Sequence, residues 1–500
     1  MIWPPILKYV AKSLIGRERE QALFQDVLSS RAAELVALYG RRRVGKTFLV
    51  REFMAPRAGT FFEVTGTKDG SSSVQLKRFR EALEPVFAAG LHLPDFRSWD
   101  DALSYLTDLI EQRALARPSE PIVLFFDELP WLAAPKSRLL ESLDYYWNRS
   151  LSRLPQVKVI VCGSAASWML RRVVLAKGGL HNRITRRLRL EPFTLREAQA
   201  YLASQQVKLK TVELLELYMA LGGVPYYLSL VPRGKSVAET IGELCFERAG
   251  ALQGEFANVL ASLFSDHAGH AALLQALAAR RGGRTRDELI AATDRTSGGS
   301  LNRHLQELEE AGFIGRVEPY GKKVKSTLYR VIDELTLFHF KWIEQAPKGV
   351  LARGGARHWQ AISQTPGYAA WAGYAFESLC LKHARELESA LGIENLVTAI
   401  GSWRFVPSRV LRDQRGAQVD LLFERRDGVI NLCEMKFAKE PFVITKAYAR
   451  ELRDKVALFE AQTKTKKRVV VTLVAPFGLK QSTWSEDLVE QVVDQTALLR

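Results

Sequence analysis

No stretch of the 500-residue chain reaches about 18 consecutive apolar residues, the least a membrane-spanning helix needs. No membrane span is expected. The longest apolar runs, such as 122–126, are only strand-length. Cysteine is scarce. The four, at 162, 245, 380 and 433, lie far apart with no CxxC pair, which excludes a disulfide frame and a cysteine zinc site and points to a reduced, cytoplasmic setting. The opening MIWPPILKYV places two prolines in a short apolar patch ahead of Lys8. That reverses the charge-first order of a signal peptide, so none is expected. His267 and His270 form an isolated HxxH without a second ligand pair at metal spacing. Internal repeats and low-complexity tracts are also missing. Acid is the minority charge, 55 Asp and Glu against 71 Lys and Arg, for a net +16. The excess suits an anionic partner such as nucleic acid, and equally bulk solubility.

What is present is an ordinary globular composition, 47% hydrophobic and 25% charged, enough for about three domains. From 12 to 200, near-continuous apolar runs (35–39, 60–64, 122–126, 157–162) alternate with helical patterns (46–54, 74–88, 99–116). This predicts an α/β fold whose parallel sheet is covered on both faces. Residues 201–262 read as helical. Residues 263–345 read as short helices and then a strand pair around a basic turn. The Gly-, Pro- and Arg-rich 346–367 reads as a linker, and 368–500 as helix, strands, helix and strand.

Gly40-Arg41-Arg42-Arg43-Val44-Gly45-Lys46-Thr47 matches GxxxxGK[ST]. It follows the apolar ELVALY and opens a helical pattern at Phe48, the context that gives the motif its meaning. Such a loop curls its amide groups around phosphates, with Lys46 on the β and γ phosphates of ATP and the Thr47 hydroxyl on Mg2+. Eighty residues on, Ile122–Phe126 runs into Asp127-Glu128, two carboxylates at the C-terminal edge of a strand. Asp127 suits the Mg2+ shell and Glu128 the polarisation of the attacking water. A third apolar strand ends at Gly163-Ser164. Ser164 is placed for the γ phosphate or the lytic water, or is a plain strand-end serine. Residues 171–196 then carry eight Lys or Arg against one acid. This run reads as the source of an arginine finger, as a solvated face, or as a nucleic-acid surface.

In order, LIGRE (14–18), YGRRRVGKT, LFFDELPWL, VIVCGSAASWM and LGGVPYYL resemble the archaeal-type ATPase family, in the STAND branch of the AAA+ P-loop proteins. The resemblance covers about 15–345. It implies that Ile15, Gly16, Arg17 and Glu18 lie along the adenine. It also implies that Gly223-Val224-Pro225 belongs to a helical lid closing on the nucleotide, with Pro225 in contact. The family's usual LYGR stands here as Leu180-His181-Asn182-Arg183. That makes Arg183 the finger candidate and leaves open whether it acts within a subunit or on a neighbour. A homo-oligomer formed on ATP binding fits such a family.

In the middle region the apolar spacing of Leu301, Leu305 and Leu308, then Phe313 and Ile314, predicts an amphipathic helix running into a strand. GKKVK resembles the wing of a winged helix. Arg303 and His304 are then candidates for a major groove and Lys322, Lys323 and Lys325 for phosphates. The alternative is a wing that clamps its own chain.

Near the C-terminal end stand Glu377, Asp420, Glu434 and Lys436. With period 2, Glu434 and Lys436 share a strand face. Two carboxylates from neighbouring strands make an oxygen-rich Mg2+ site beside a lysine that orients or deprotonates water. This D…ExK pattern resembles a PD-(D/E)xK restriction-endonuclease-like domain over about 368–500. Gln418-Val419-Asp420 replaces the usual E-I-D. Residues 446–468 add eight basic against three acidic residues. The whole reads as an ATP-gated nuclease acting on nucleic acid, with DNA favoured. The alternatives are an ATP-dependent DNA-binding regulator and an oligomerising signalling scaffold whose C-terminal fold does not cut.

Overall fold

The computed structural model describes residues 14–499 apart from 89–90, 176–178, 294–298, 322–326, 348, 350–354 and 406–415. The chain divides into two compact units, Met1–Pro192 and Phe193–Arg500.

The first unit is built on five parallel strands, β1 (Glu34–Tyr39), β2 (Thr60–Thr65), β3 (Ile122–Asp127), β4 (Val157–Gly163) and β5 (Arg186–Arg189), in the spatial order β2-β3-β4-β1-β5. Alternate residues of each central strand feed opposite cores. Leu35, Ala37, Leu124 and Phe126 pack on one side with Phe62, Phe79 and Trp99. Val36, Leu38, Val123 and Phe125 pack on the other with Phe24, Leu49 and Phe53. Burial on both faces is why these strands are near-continuous apolar runs, broken in β4 only by Lys158. The edge strands are the exceptions: β2, TFFEVT, alternates buried with half-buried or exposed residues, and β5, RRLR, is mostly exposed and held by backbone pairing to β1. The helices start where side chains satisfy free amides: Ser71 accepts from Val74 and Ser98 from Asp101.

In the second unit, helices Leu195–Ser204, Thr211–Leu221 and Pro225–Ser229 lead into three helices (His267–Ala278, Arg286–Thr293, Gly299–Glu310) and an antiparallel pair, β6 (Ile314–Val317) and β7 (Leu328–Val331). The basic turn with Lys322, Lys323 and Lys325 lies outside the described residues, as does Lys177 of the earlier basic run. Leu301, Leu305 and Leu308 are buried as their spacing requires, and His304 lies on the same stripe. His304 is therefore a core residue and not a groove-reading one, whereas Arg303 is exposed.

The 346–367 linker also needs correction. Residues Gly355–Ile362 form a helix, and a second one starts at Pro366. Trp359 is 1% exposed and stacks on Phe246 with ring centroids 5.1 Å apart. One large apolar side chain outweighs the loop-like composition around it.

The last part is a mixed sheet of β8 (Val397–Phe405), β9 (Ala417–Arg425), β10 (Val429–Met435), β12 (Arg468–Val474) and β14 (Val489–Val493), in the order β14-β12-β10-β9-β8. A separate short pair joins β11 (Phe442–Val443) to β13 (Leu479–Lys480). Strands β8, β9 and β10 run antiparallel, while β10, β12 and β14 run parallel. Phe376 and Leu379 of helix Pro366–Lys382 share a core with Leu421, Phe423, Cys433 and Met435. Among the described residues, no helix is long and apolar enough to cross a membrane.

Candidate functional site

Two sites emerge, one in each unit. In the first, the chain leaves β1 through Gly40, whose position any side chain would foul, since a Cβ would meet the Leu190 carbonyl oxygen at 2.3 Å. Gly45 takes φ +92°, a backbone that favours glycine, and turns directly into helix Lys46–Phe53. Lys46 is buried. Its Nζ donates to the carbonyls of Gly40 and Arg41, both at 2.9 Å, and to Ser164 Oγ at 3.0 Å. Because β4 lies between β1 and β3, Ser164 stands between the loop and the acidic end of β3. Its amide and hydroxyl both donate to the Glu128 carboxylate. Glu128 sits at φ +47°, a left-handed turn costly for a side-chain-bearing residue. Thr47 Oγ1 donates to Asp127 Oδ2 at 2.8 Å. Burial is the main cause pushing the Asp127 carboxyl above its ordinary range, opposed by the Thr47 hydrogen bond. A hydroxyl and a carboxylate oxygen in contact at a phosphate loop are the hard donors Mg2+ takes.

Arg17 is also in place. It takes a left-handed turn after Ile15 and Gly16, and its guanidinium donates to the Val44 carbonyl at 3.2 Å. The 15–17 segment thus touches the phosphate loop. Arg42, Arg43 and Phe48 remain partly or wholly accessible there.

Arg183 is not in place. It precedes β5, and Thr185 pairs with Leu35 at the opposite end of β1 from Tyr39 and the loop. Four residues of strand separate the two ends, about 13 Å. Arg183 instead points its Nε toward Asp144, at 3.8 Å. It does not reach the phosphate loop of its own chain. Pro225 belongs to the second unit, where it takes the first position of a short helix and its missing N–H is harmless.

The second site gathers around β9 and β10. Cys433 pairs with Leu421, so Glu434 and Asp420 are the next step along neighbouring strands. Lys436 follows β10 and meets Glu434 Oε1 at 2.9 Å. Helix Pro366–Lys382 brings Glu377 into the same cluster. Burial and the nearby Asp420 charge push its carboxyl up to about 7, against the pull of Arg330 and Lys436. Three residues that sequence reasoning did not single out complete the cluster. Lys455 Nζ meets Glu434 Oε2 at 2.8 Å, and Tyr448 Oη donates to Oε1 at 2.6 Å. Their spacing of seven on helix Lys446–Thr463 was a usable signal, since it places both on one face. The third, Arg330 of β7, is 4% exposed, and its Nη1 donates to Asp420 Oδ1 at 3.1 Å, beside the Gln418 amide at 2.7 Å on the same oxygen. The oxygen donors suit Mg2+, and they already hold three side-chain cations. Of the basic residues in 446–468, Lys446, Arg450, Arg453, Lys464, Lys466 and Arg468 are exposed.

The Glu377 carboxyl gives a pH prediction. Folded, it keeps its proton up to about 7, against an ordinary 4.5. Between those values the folded chain binds more protons than the unfolded one, so this group's contribution to stability falls as pH rises through that window. Glu377→Gln is expected to flatten the fall and gain on the order of 1–2 kcal/mol over wild type at pH 8 after solvent screening. Urea unfolding at pH 5 and pH 8 measures it, and an equal pH response in both proteins would contradict it.

Residues 14–231 match the family described as an ATPase domain found predominantly in Archaea. An archaeal-type ATPase domain therefore spans residues 14–231, taking in the first unit and the helices that open the second. An uncharacterized protein of Methanocaldococcus jannaschii is 24% identical over 416 residues, covering 82% of this chain and 83% of that protein. That alignment is longer than the ATPase match, so the likeness continues beyond it. Among solved structures, a Walker-type ATPase of Pyrococcus abyssi is 18% identical with a TM-score of 0.48, covering 66% of this chain and 97% of its own. The Aeropyrum pernix ORC2 protein is 14% identical with a TM-score of 0.40, covering 72% and 96%.

Proposed function

We propose that the chain is an ATP-driven enzyme in which nucleotide turnover by the first unit licenses a metal-dependent phosphodiesterase in the second. Bound Mg2+ supplies charge neutralisation at the phosphates. Thr47 and Asp127 would hold it, Lys46 binds the phosphate oxygens, and Glu128, positioned by Ser164, accepts the proton of the attacking water. Arg17 and its neighbours border the adenine, and Pro225 belongs to the lid. A finger role for Arg183 requires a second copy of the chain.

The reading of the last part of the second unit as a PD-(D/E)xK domain is carried by one observation: Glu377, Asp420, Glu434 and Lys436 converge from a helix and two adjacent strands. The winged-helix reading rests on three helices followed by the β6–β7 pair. Asp420 and Glu434 would hold the metal, with Glu377 beside them, and Lys436 orients the water. The exposed basic residues of 446–468 suit a phosphate backbone, and DNA is the favoured substrate.

Arg330 favours a second reading, an ATP-dependent DNA-binding regulator that does not cut, because it already occupies Asp420. Cleavage of labelled single- and double-stranded DNA and RNA in Mg2+ or Mn2+, with and without ATP, separates the two. Cutting by wild type and not by Lys436→Ala is the expected result. No cutting of any substrate by a chain that still hydrolyses ATP would select the regulator.

A further inference from the structure

We propose that His270, His304 and Glu307 form a transition-metal site, of the kind Zn2+ fills, that ties helix His267–Ala278 to helix Gly299–Glu310. One ligand atom from each lies within 4.8 Å of the other two. His304 and Glu307 are three residues apart and so share a helix face. His270 arrives from the other helix. The two imidazoles are 1% and 2% exposed, with ring centroids 4.3 Å apart. Phe264 stacks over His270 at 3.9 Å and closes that side to water.

The hydrogen bonding fixes which nitrogen faces the site. His270 Nδ1 lies 2.6 Å from the Asp266 carbonyl oxygen. A carbonyl only accepts, so Nδ1 carries a proton. In the neutral ring Nε2 then carries the lone pair, and it faces Glu307 Oε2 at 3.0 Å. Two acceptors at that distance require a cation between or beside them, either a proton or a metal. A ring N–H held by a backbone carbonyl, with the other nitrogen aimed at a carboxylate, is the way metal-ligating histidines are oriented.

Asp266 stands alongside. Its Oδ1 caps helix His267–Ala278 through the Gly269 amide, and its other oxygen, Oδ2, lies 3.3 Å from His304 Nε2. Two imidazoles and one carboxylate, with a second carboxylate in reach, form a borderline-hard N and O donor set. It suits Zn2+, and Co2+ or Ni2+ in its place, rather than Mg2+. Neutral ligands on a dication also avoid placing two imidazolium charges side by side in a desolvated core. The site shares no residue with the carboxylates of β9 and β10 and does not depend on their function.

The test uses the full chain without a histidine tag, stripped with chelator and titrated with Co2+. The expected result is that one equivalent of Co2+ per chain produces the visible bands of a four-coordinate site, which Zn2+ displaces. His270→Ala should abolish the bands. Glu307→Gln, which keeps the size of the side chain, should weaken Co2+ binding by roughly tenfold or more with the helical circular dichroism unchanged. Asp420→Asn should leave the bands intact, which separates this site from the other. A folded wild type without the bands would overturn the proposal, as would bands that survive at full affinity in Glu307→Gln. The first result leaves His270 and Glu307 as a hydrogen-bonded pair of the core, and the second removes Glu307 from the ligand set.

Discussion

Glu128→Gln is expected to leave ATP binding near wild type and to slow turnover by roughly 10²- to 10⁴-fold, the range a positioned general base supplies. The substitution isolates one property. The Ser164 amide and hydroxyl donate to different oxygens of Glu128. A glutamine oxygen keeps the amide bond while its NH2 donates to the Ser164 hydroxyl oxygen, so the left-handed turn at Glu128 keeps its support. What is lost is the ability to take a proton from water. Lys46 and Thr47, which would meet the phosphates and the metal, are untouched. Phosphate release and equilibrium binding of a fluorescent ATP analogue measure the two halves separately. Turnover above a tenth of wild type would remove Glu128 from the base role. Ser164→Ala gives the intermediate case. It removes the hydroxyl that joins Lys46 to Glu128 but keeps the amide, so a partial loss is expected.

The first unit was largely legible because its chemistry is local. A strand buried on both faces must be an apolar run, and the phosphate loop, its lysine and its threonine are consecutive. Glu128 and Asp127 follow from the end of such a strand. The strand that escaped notice, β5, has no apolar run because it sits at an exposed edge, and the ladder to β1 makes it. Which subunit Arg183 would serve was not legible for a related reason: the LYGR-like position that marks it does not show which end of the sheet it borders. In the second unit the D…ExK residues were legible from alternation. Their counter-cations were not, since Arg330 is 90 residues from Asp420. His304 was legible in principle, because it completes the 301, 305, 308 stripe. The isolated His267 and His270 pair hid the relevant partner, which is brought to His270 by a different helix.

The proposed gating then has a definite structural handle. In the folded chain Asp420 carries two donors on one oxygen, and the charged one is Arg330. The hairpin bearing it is also tied to β8, since Tyr320 N donates to the Ser402 carbonyl at 2.6 Å. A divalent ion at Asp420 and Glu434 must displace the guanidinium or share the carboxylate with it. A unit charge about 4 Å away is worth roughly 4 kcal/mol at an effective dielectric of 20, and part of that returns as the freed carboxylate is solvated. Arg330→Ala is therefore expected to tighten Mn2+ binding at this site by roughly tenfold to a hundredfold, and to make any cleavage less dependent on ATP. Arg330→Lys keeps the charge but loses the fork, so it should stay near wild type in Mn2+ affinity. Mn2+ binding followed by paramagnetic resonance, with Asp420→Asn as the blank, reads the ion directly and needs no cleavage. A folded Arg330→Ala chain with unchanged Mn2+ affinity and unchanged ATP dependence would make the Arg330–Asp420 pair a structural tie between the hairpin and the sheet. The gate would then have to lie elsewhere.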